Sequence, residues 1–170
     1  MIMILAISFG ISQDKKPKPP AASPRATLSQ VVGYNKVTID YGRPAVKGRT
    51  VYGNLVKYDK VWRTGANEQS EIEFAADMMI NGKKVMKGRY AFFTIPKKGN
   101  KWTVILNKDL GQWGAFSYNE ANDLMRFDVD VMSTSNVERL TFSFDIAGPK
   151  ESHLVFAWAD KSFKVKINDM

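Results

Sequence analysis

The sequence of 170 residues has no cysteine and a single histidine. These absences exclude disulfides, thiolate zinc sites, iron–sulfur ligation and cysteine nucleophiles, and they leave nothing from which to build a histidine-clustered metal centre. Signature loops are missing as well: no G-x-S-x-G elbow, no Walker loop, no G-x-G-x-x-G after a strand and no H-E-x-x-H. A Ser-His-Asp triad would have to rest on His153, which has no candidate serine in a Gly-flanked turn. No cofactor is therefore expected. The longest apolar run, Met1 to Ile11, falls well short of the roughly 20 residues that a membrane-spanning helix needs.

What is present describes a globular protein: 44% hydrophobic, 25% charged and a net charge of +8. Lys15, Lys16, Lys18 and Arg25 against Asp14 place +3 of that charge in residues 13–25, and the remaining +5 is spread without a charge block. A basic surface is drawn weakly to any polyanion. Nucleic-acid binding would need aromatics interleaved with cations on one strand face, whereas Lys164 and Lys166 alternate with core residues. No nucleic-acid partner is expected.

Three segments follow. Residues 1–12 resemble the apolar core of an export signal, with Gly10 and Ser12 as small residues before a cut at Gln13, although cations ahead of the core are lacking. Residues 13–25 are expected to form a Pro/Lys-rich, disordered leader. Residues 26–170 are a single all-β domain. An exported protein, periplasmic or extracellular, is the expectation.

The β assignment rests on a period of two. Val37 to Tyr41, Leu140 to Ile146 and Phe163 to Asn168 alternate apolar and polar residues, the pattern of a strand with one face in a core. Tyr90 to Ile95 and Trp102 to Leu106 are apolar on both faces and should be central. Asn81-Gly82 is a strong hairpin signal, and Gly33-Tyr34-Asn35 should close a first hairpin. The expectation is a β-sandwich or barrel-like meander of ten or eleven short strands, with single helical turns near Val51–Val56 and Asn119–Asn122.

Two stretches resist the strand pattern, Gly42–Glu68 and Lys108–Asp123, and loops of such length tend to be functional. The first carries Arg43, Arg49 and the run Trp62-Arg63-Thr64-Gly65-Ala66-Asn67-Glu68; the second carries Trp113. Arg43, Arg49 and Arg63 are forks suited to a carboxylate, phosphate or sulfate. Trp62 and Trp113 offer flat faces for a sugar ring, and Asn67 adds an amide. An anionic or carbohydrate-like ligand is one use of this set. A second is hydrolysis, with Glu68 as general acid or base and Arg63 stabilising an anion. A third is purely structural: Arg63 as a strut tying loop carbonyls and Glu68, the tryptophans as core, the whole a protein-interaction module without a small-molecule site. His153, the strand pair Asp128 and Asp130 (a conceivable calcium site) and the pair Glu71 and Glu73 read more simply as structural or solvated residues.

The motifs Tyr41-Gly42-Arg43-Pro44, Lys47-Gly48-Arg49, Tyr52 to Val56, Trp62 to Glu68, Phe93 to Pro96, Trp102 to Ile105 and Gly111 to Tyr118 together resemble the bacterial family catalogued as domain of unknown function 2911. The resemblance covers about Ser23 to Ile167 and implies an exported protein of a Gram-negative bacterium. Gly42 departs from it, standing where serine is the more usual residue. No activity comes with the family.

Overall fold

The computed structural model describes residues 19–170, so the proposed signal segment lies outside the described residues. Nine strands form one open antiparallel sheet: β1 (Arg25–Val32), β2 (Asn35–Gly42), β3 (Ser70–Phe74), β4 (Met78–Ile80), β5 (Lys83–Val85), β6 (Gly88–Ile95), β7 (Lys101–Asn107), β8 (Asp123–Gly148) and β9 (Glu151–Asp169). Their order across the sheet is β1-β2-β3-β6-β7-β8-β9-β4-β5. The all-β expectation holds, with nine strands in place of ten or eleven. The difference lies in β8 and β9, which run unbroken for 26 and 19 residues. Within β8 the register shifts between Ser133 and Val137 and again before Thr141, and such bulges bend a strand without ending it.

β8 gives the sheet its second layer. Its first part pairs with β7, from Asp123 to Asp130, and its second with β9, from Val131 to Gly148. The far part folds back over β2 and β6. Phe142 packs edge-on against Tyr41 at 4.9 Å and Phe92 at 5.7 Å, and its N–H donates to the Tyr41 hydroxyl at 3.1 Å. Between the layers lie Trp102, Phe156 and Phe163, the last two stacked at 4.6 Å. Each such ring, fully buried, contributes about 2–3 kcal/mol of transfer free energy. Past β2, the chain crosses to the second layer, where Val46 N–H donates to Glu138 O and Leu140 N–H to Pro44 O.

The hairpin expectations are met. β4 and β5 turn at Asn81-Gly82, both with positive φ (47° and 78°), the conformation that such a two-residue turn requires. β1 and β2 join at Gly33-Tyr34, where Asp169 of β9 accepts from Tyr34 N–H at 2.9 Å and Asn35 Nδ2 at 2.8 Å. The 119–122 turn appears as a short 3-10 helix, Glu120–Asn122, whereas 51–56 closes through a Tyr52–Val56 bridge without a helix. Tertiary contacts reach back to Ala22, Ser23 and Pro24, whose carbonyls accept from Arg139 Nη1, Asn67 Nδ2 and Arg43 N–H respectively.

β6 and β7 are covered on both faces, as their sequences require. Ala91, Phe93 and Ile105 form a small outer cluster beneath Val61, Ala115 and Tyr118, so the two long loops are its roof. Reciprocal hydrogen bonds between Trp62 and Thr94 fasten the first loop to β6. Gln69 N–H to Gln112 O and Gly114 N–H to Asn67 O then fasten the loops to each other.

Candidate functional site

Between the first loop and β9 lies a cleft of about 280 Å³, lined among others by Arg49, Trp62, Arg63, Asn67, Leu55 and Trp158. Four of the sequence candidates therefore meet in one place. Two glycines pack against residues of its lining. A Cβ on Gly42 would sit 2.1 Å from the Ala66 carbonyl oxygen, so only glycine lets β2 pass this close beneath the loop. Gly114, with φ +72°, would place a Cβ 3.3 Å from Arg63 Nη1, so its bareness admits the guanidinium against the second loop.

The side chains divide by what already satisfies them. Arg43 donates to Leu140 O and to Thr141 Oγ1, both at 3.0 Å, and does not line the cleft. It is a strap between layers. Arg49 donates from Nε to Val46 O at 3.0 Å and from Nη2 to Ala45 O at 2.6 Å. It is thus fixed by backbone while entering no ion pair among the described residues. Trp62 is buried, donates from Nε1 to Gly65 O at 3.2 Å and stacks on Trp158 at 5.7 Å. Asn67 adopts φ +64° and reaches Ser23 O at 3.3 Å.

Arg63 differs from the other arginines. Its Nε is buried without a partner, and burial pulls its pKa below the ordinary arginine value. The strut expectation, an Arg63–Glu68 pair, is not what the fold makes: Glu68 is 55% exposed at its side chain and faces Arg25 at 3.7 Å. Trp158 Nε1 is the second buried donor on this cleft without a partner. A buried N–H with no acceptor costs about 1–3 kcal/mol, so two of them beside one cleft ask for an explanation.

The backbone around the cleft is also unusual. Thr64, next to Arg63, has φ +49°, and Ala159, next to Trp158, has φ +51°. A β-branched residue in this region is a genuine outlier. Thr64 is held there, fully buried, by its hydroxyl, which donates to Trp62 O and shares a second hydrogen bond with Thr94 Oγ1. Strain of this kind concentrates at functional sites.

The remaining candidates lie elsewhere. Trp113 is 60% exposed and bridges to Glu68 through backbone on the outer loop surface. Asp128 accepts from Thr103 Oγ1 and Asp130 pairs with Lys101 at 2.8 Å; Glu71 and Glu73 share Arg89. No group of three or more metal-ligating side chains occurs among the described residues. Trp158, one of the tryptophans read from sequence as core, is core at 1% exposure; what sequence did not disclose is that it also borders this cleft with its indole N–H unpartnered.

A family model described as a protein of unknown function (DUF2911) matches residues 23–167, most of the chain and all nine strands but for the last residues of β9. The chain belongs to the DUF2911 family. No curated protein matches it. No solved structure matches it either. The match to DUF2911 begins at Ser23, one residue after Ala22, whose carbonyl accepts from Arg139 Nη1 at 3.5 Å.

Proposed function

We propose that this DUF2911 protein is a binding module whose cleft takes an anionic or carbohydrate-like ligand. The observation that carries the reading is the pair of buried, unpartnered donors, Arg63 Nε and Trp158 Nε1, on one cleft with no carboxylate in its lining. Both donors are closed to solvent, so a ligand oxygen from a carboxylate, sulfate or sugar acid reaches them with a shift of the side chains that cover them, and then supplies the acceptor that the protein withholds. Arg49 adds a second cation held in place by backbone carbonyls, and Asn67 an amide for orientation. The volume lies near the lower end of ordinary small-molecule sites.

Hydrolysis through Glu68 lacks its geometry. A carboxylate that is half exposed and paired with Arg25 has neither the desolvation nor the Arg63 partner that such a role requires. We further read the protein as exported to the bacterial envelope, on the apolar run Met1–Ile11 and the Pro/Lys-rich segment that follows it.

Thermal shift with sulfate, citrate and galacturonate, on the full chain and on Arg63→Met, tests the reading. A ligand that binds only the folded state raises the midpoint in a saturable way. The expected result is such a rise in the wild type and none in Arg63→Met, whose own midpoint stays at or above the wild-type value. No shift with any of the three at millimolar concentration, or equal shifts in both proteins, overturns it.

A further inference from the structure

Arg49 has two sides. One lines the cleft just described, and the other lines a second hollow of about 400 Å³ with Tyr52, Tyr58, Lys97, Lys98 and Lys161. β9 makes the same division, since Trp158 lines the first cleft whereas Ala159 and Asp160 line the second. The two hollows therefore share Arg49 as a wall and adjoin at the Trp158–Ala159 step. Together their linings hold five cations, Arg49, Arg63, Lys97, Lys98 and Lys161, against the single carboxylate Asp160.

Most of that charge is not cancelled. Lys161 is paired with Asp160 at 3.1 Å, and Lys97 stands 4.0 Å from Asp128. Lys98 and Arg49 enter no ion pair among the described residues. Surface cations left unpaired in a concave site raise the local concentration of anions.

We propose that the ligand is a linear acidic oligosaccharide that begins in the Arg63 cleft and crosses Arg49 into the lysine-lined hollow. This rests on the anion-binding reading above and extends it from one acidic residue to several. The chemistry of the walls selects the class. The half-buried ring of Tyr58, the exposed hydroxyl of Thr50 and the exposed amide of Asn136 line the second hollow beside the cations, with Tyr52 and Trp102 buried beneath. A chain of sugar acids offers apolar ring faces, hydroxyls and carboxylates to match all three. Polyphosphate presents only charged oxygen and leaves the ring and the amide without partners.

Calorimetry on the full chain with galacturonate, tetragalacturonate, maltotetraose and polyphosphate tests the proposal. Each tenfold in affinity corresponds to about 1.4 kcal/mol, a gain that two additional ion-pair contacts can supply. Tetragalacturonate is expected to bind at least about tenfold more tightly than galacturonate. The double variant Lys97→Gln/Lys98→Gln should retain galacturonate affinity and lose most of the tetramer's advantage, with an unchanged melting midpoint. Arg63→Met should lose both. Affinity independent of chain length, or maltotetraose or polyphosphate binding as tightly as tetragalacturonate, overturns the proposal. Sulfate and citrate binding at Arg63 without a response to either galacturonate overturns the oligosaccharide and leaves the anion reading standing.

Discussion

Trp62 and Trp158 stack with their ring centroids 5.7 Å apart and their planes 21° from parallel, yet only Trp62 finds an acceptor for its indole N–H within the protein. The pair sits where the first long loop meets β9. One ring is therefore anchored to the loop at Gly65 O, and the other holds an unspent donor beside the cleft.

Replacing Trp158 by phenylalanine separates packing from recognition. The ring stack largely survives, and the orphaned donor disappears. Removing a buried group that had no partner is close to neutral or stabilising, offset by a modest cost for the smaller ring. The expected outcome is a melting midpoint within a few degrees of wild type together with loss of the ligand-induced shift. A large fall in the midpoint with ligand response retained would mark Trp158 as core alone.

Gly42→Ala should be severe. Its Cβ would meet the Ala66 carbonyl oxygen at 2.1 Å and the Ala66 amide nitrogen at 3.0 Å, both backbone atoms that no rotamer change can move. Overpacking of this kind costs about 1–3 kcal/mol, and each kcal/mol lowers the midpoint by roughly 2–4 °C in a domain of this size. A fall of several degrees is expected, read by thermal melting, and the ligand response should weaken with it because Ala66 lines the cleft. Gly42→Ser, which carries the same Cβ, should cost as much in this chain.

Alkaline pH should weaken the fold through its tyrosines. Burial, followed by its bond to Asp123, pushes Tyr118 up to about 12 from an ordinary 10.0, and burial raises Tyr52 and Tyr90 as well. A raised tyrosine pKa means that the folded state holds its proton more tightly. The stabilisation is complete below pH 10 and is lost as pH rises from there through the folded value. The midpoint should decline between pH 10 and 12. Tyr118→Phe should show a shallower decline, because Tyr52 and Tyr90 still titrate. At neutral pH the same variant should be less stable, since its hydroxyl donates to both Asp123 oxygens at 2.9 and 2.7 Å and accepts from Arg126 Nη2. An unchanged slope would place the effect elsewhere.

What the sequence disclosed was local. The Asn81-Gly82 turn, the alternation of Leu140–Phe144 and the two-faced apolar strands β6 and β7 are set by neighbours a few residues apart, and all are present. Arg49, Trp62, Arg63 and Asn67 share one loop, so their convergence was partly a matter of proximity along the chain. Trp158 comes from a strand some ninety residues away, and nothing local distinguishes an indole with an acceptor from one without. Arg43 looked equivalent to Arg63. Only the crossing of the chain onto β8 decides that its fork is consumed by Leu140 O and Thr141. The strand count erred for a related reason: a bulge and a turn look alike in sequence, and pairing with β9 decides which of them forms.

Residues near position 169 close two distant parts of the sheet. Among the described residues β9 supplies the one strand partner of the β4–β5 hairpin besides its own two members, through Ile167, Asn168 and Asp169, and Asp169 also clasps the first turn of the fold. A chain emerging from the ribosome in order thus has its β4 edge bare until nearly the whole domain has been made. Pairings this far apart in sequence are slow to form. For that interval Met78 and Ile80 remain without the strand that later pairs with them, in need of whatever shields nascent chains from one another.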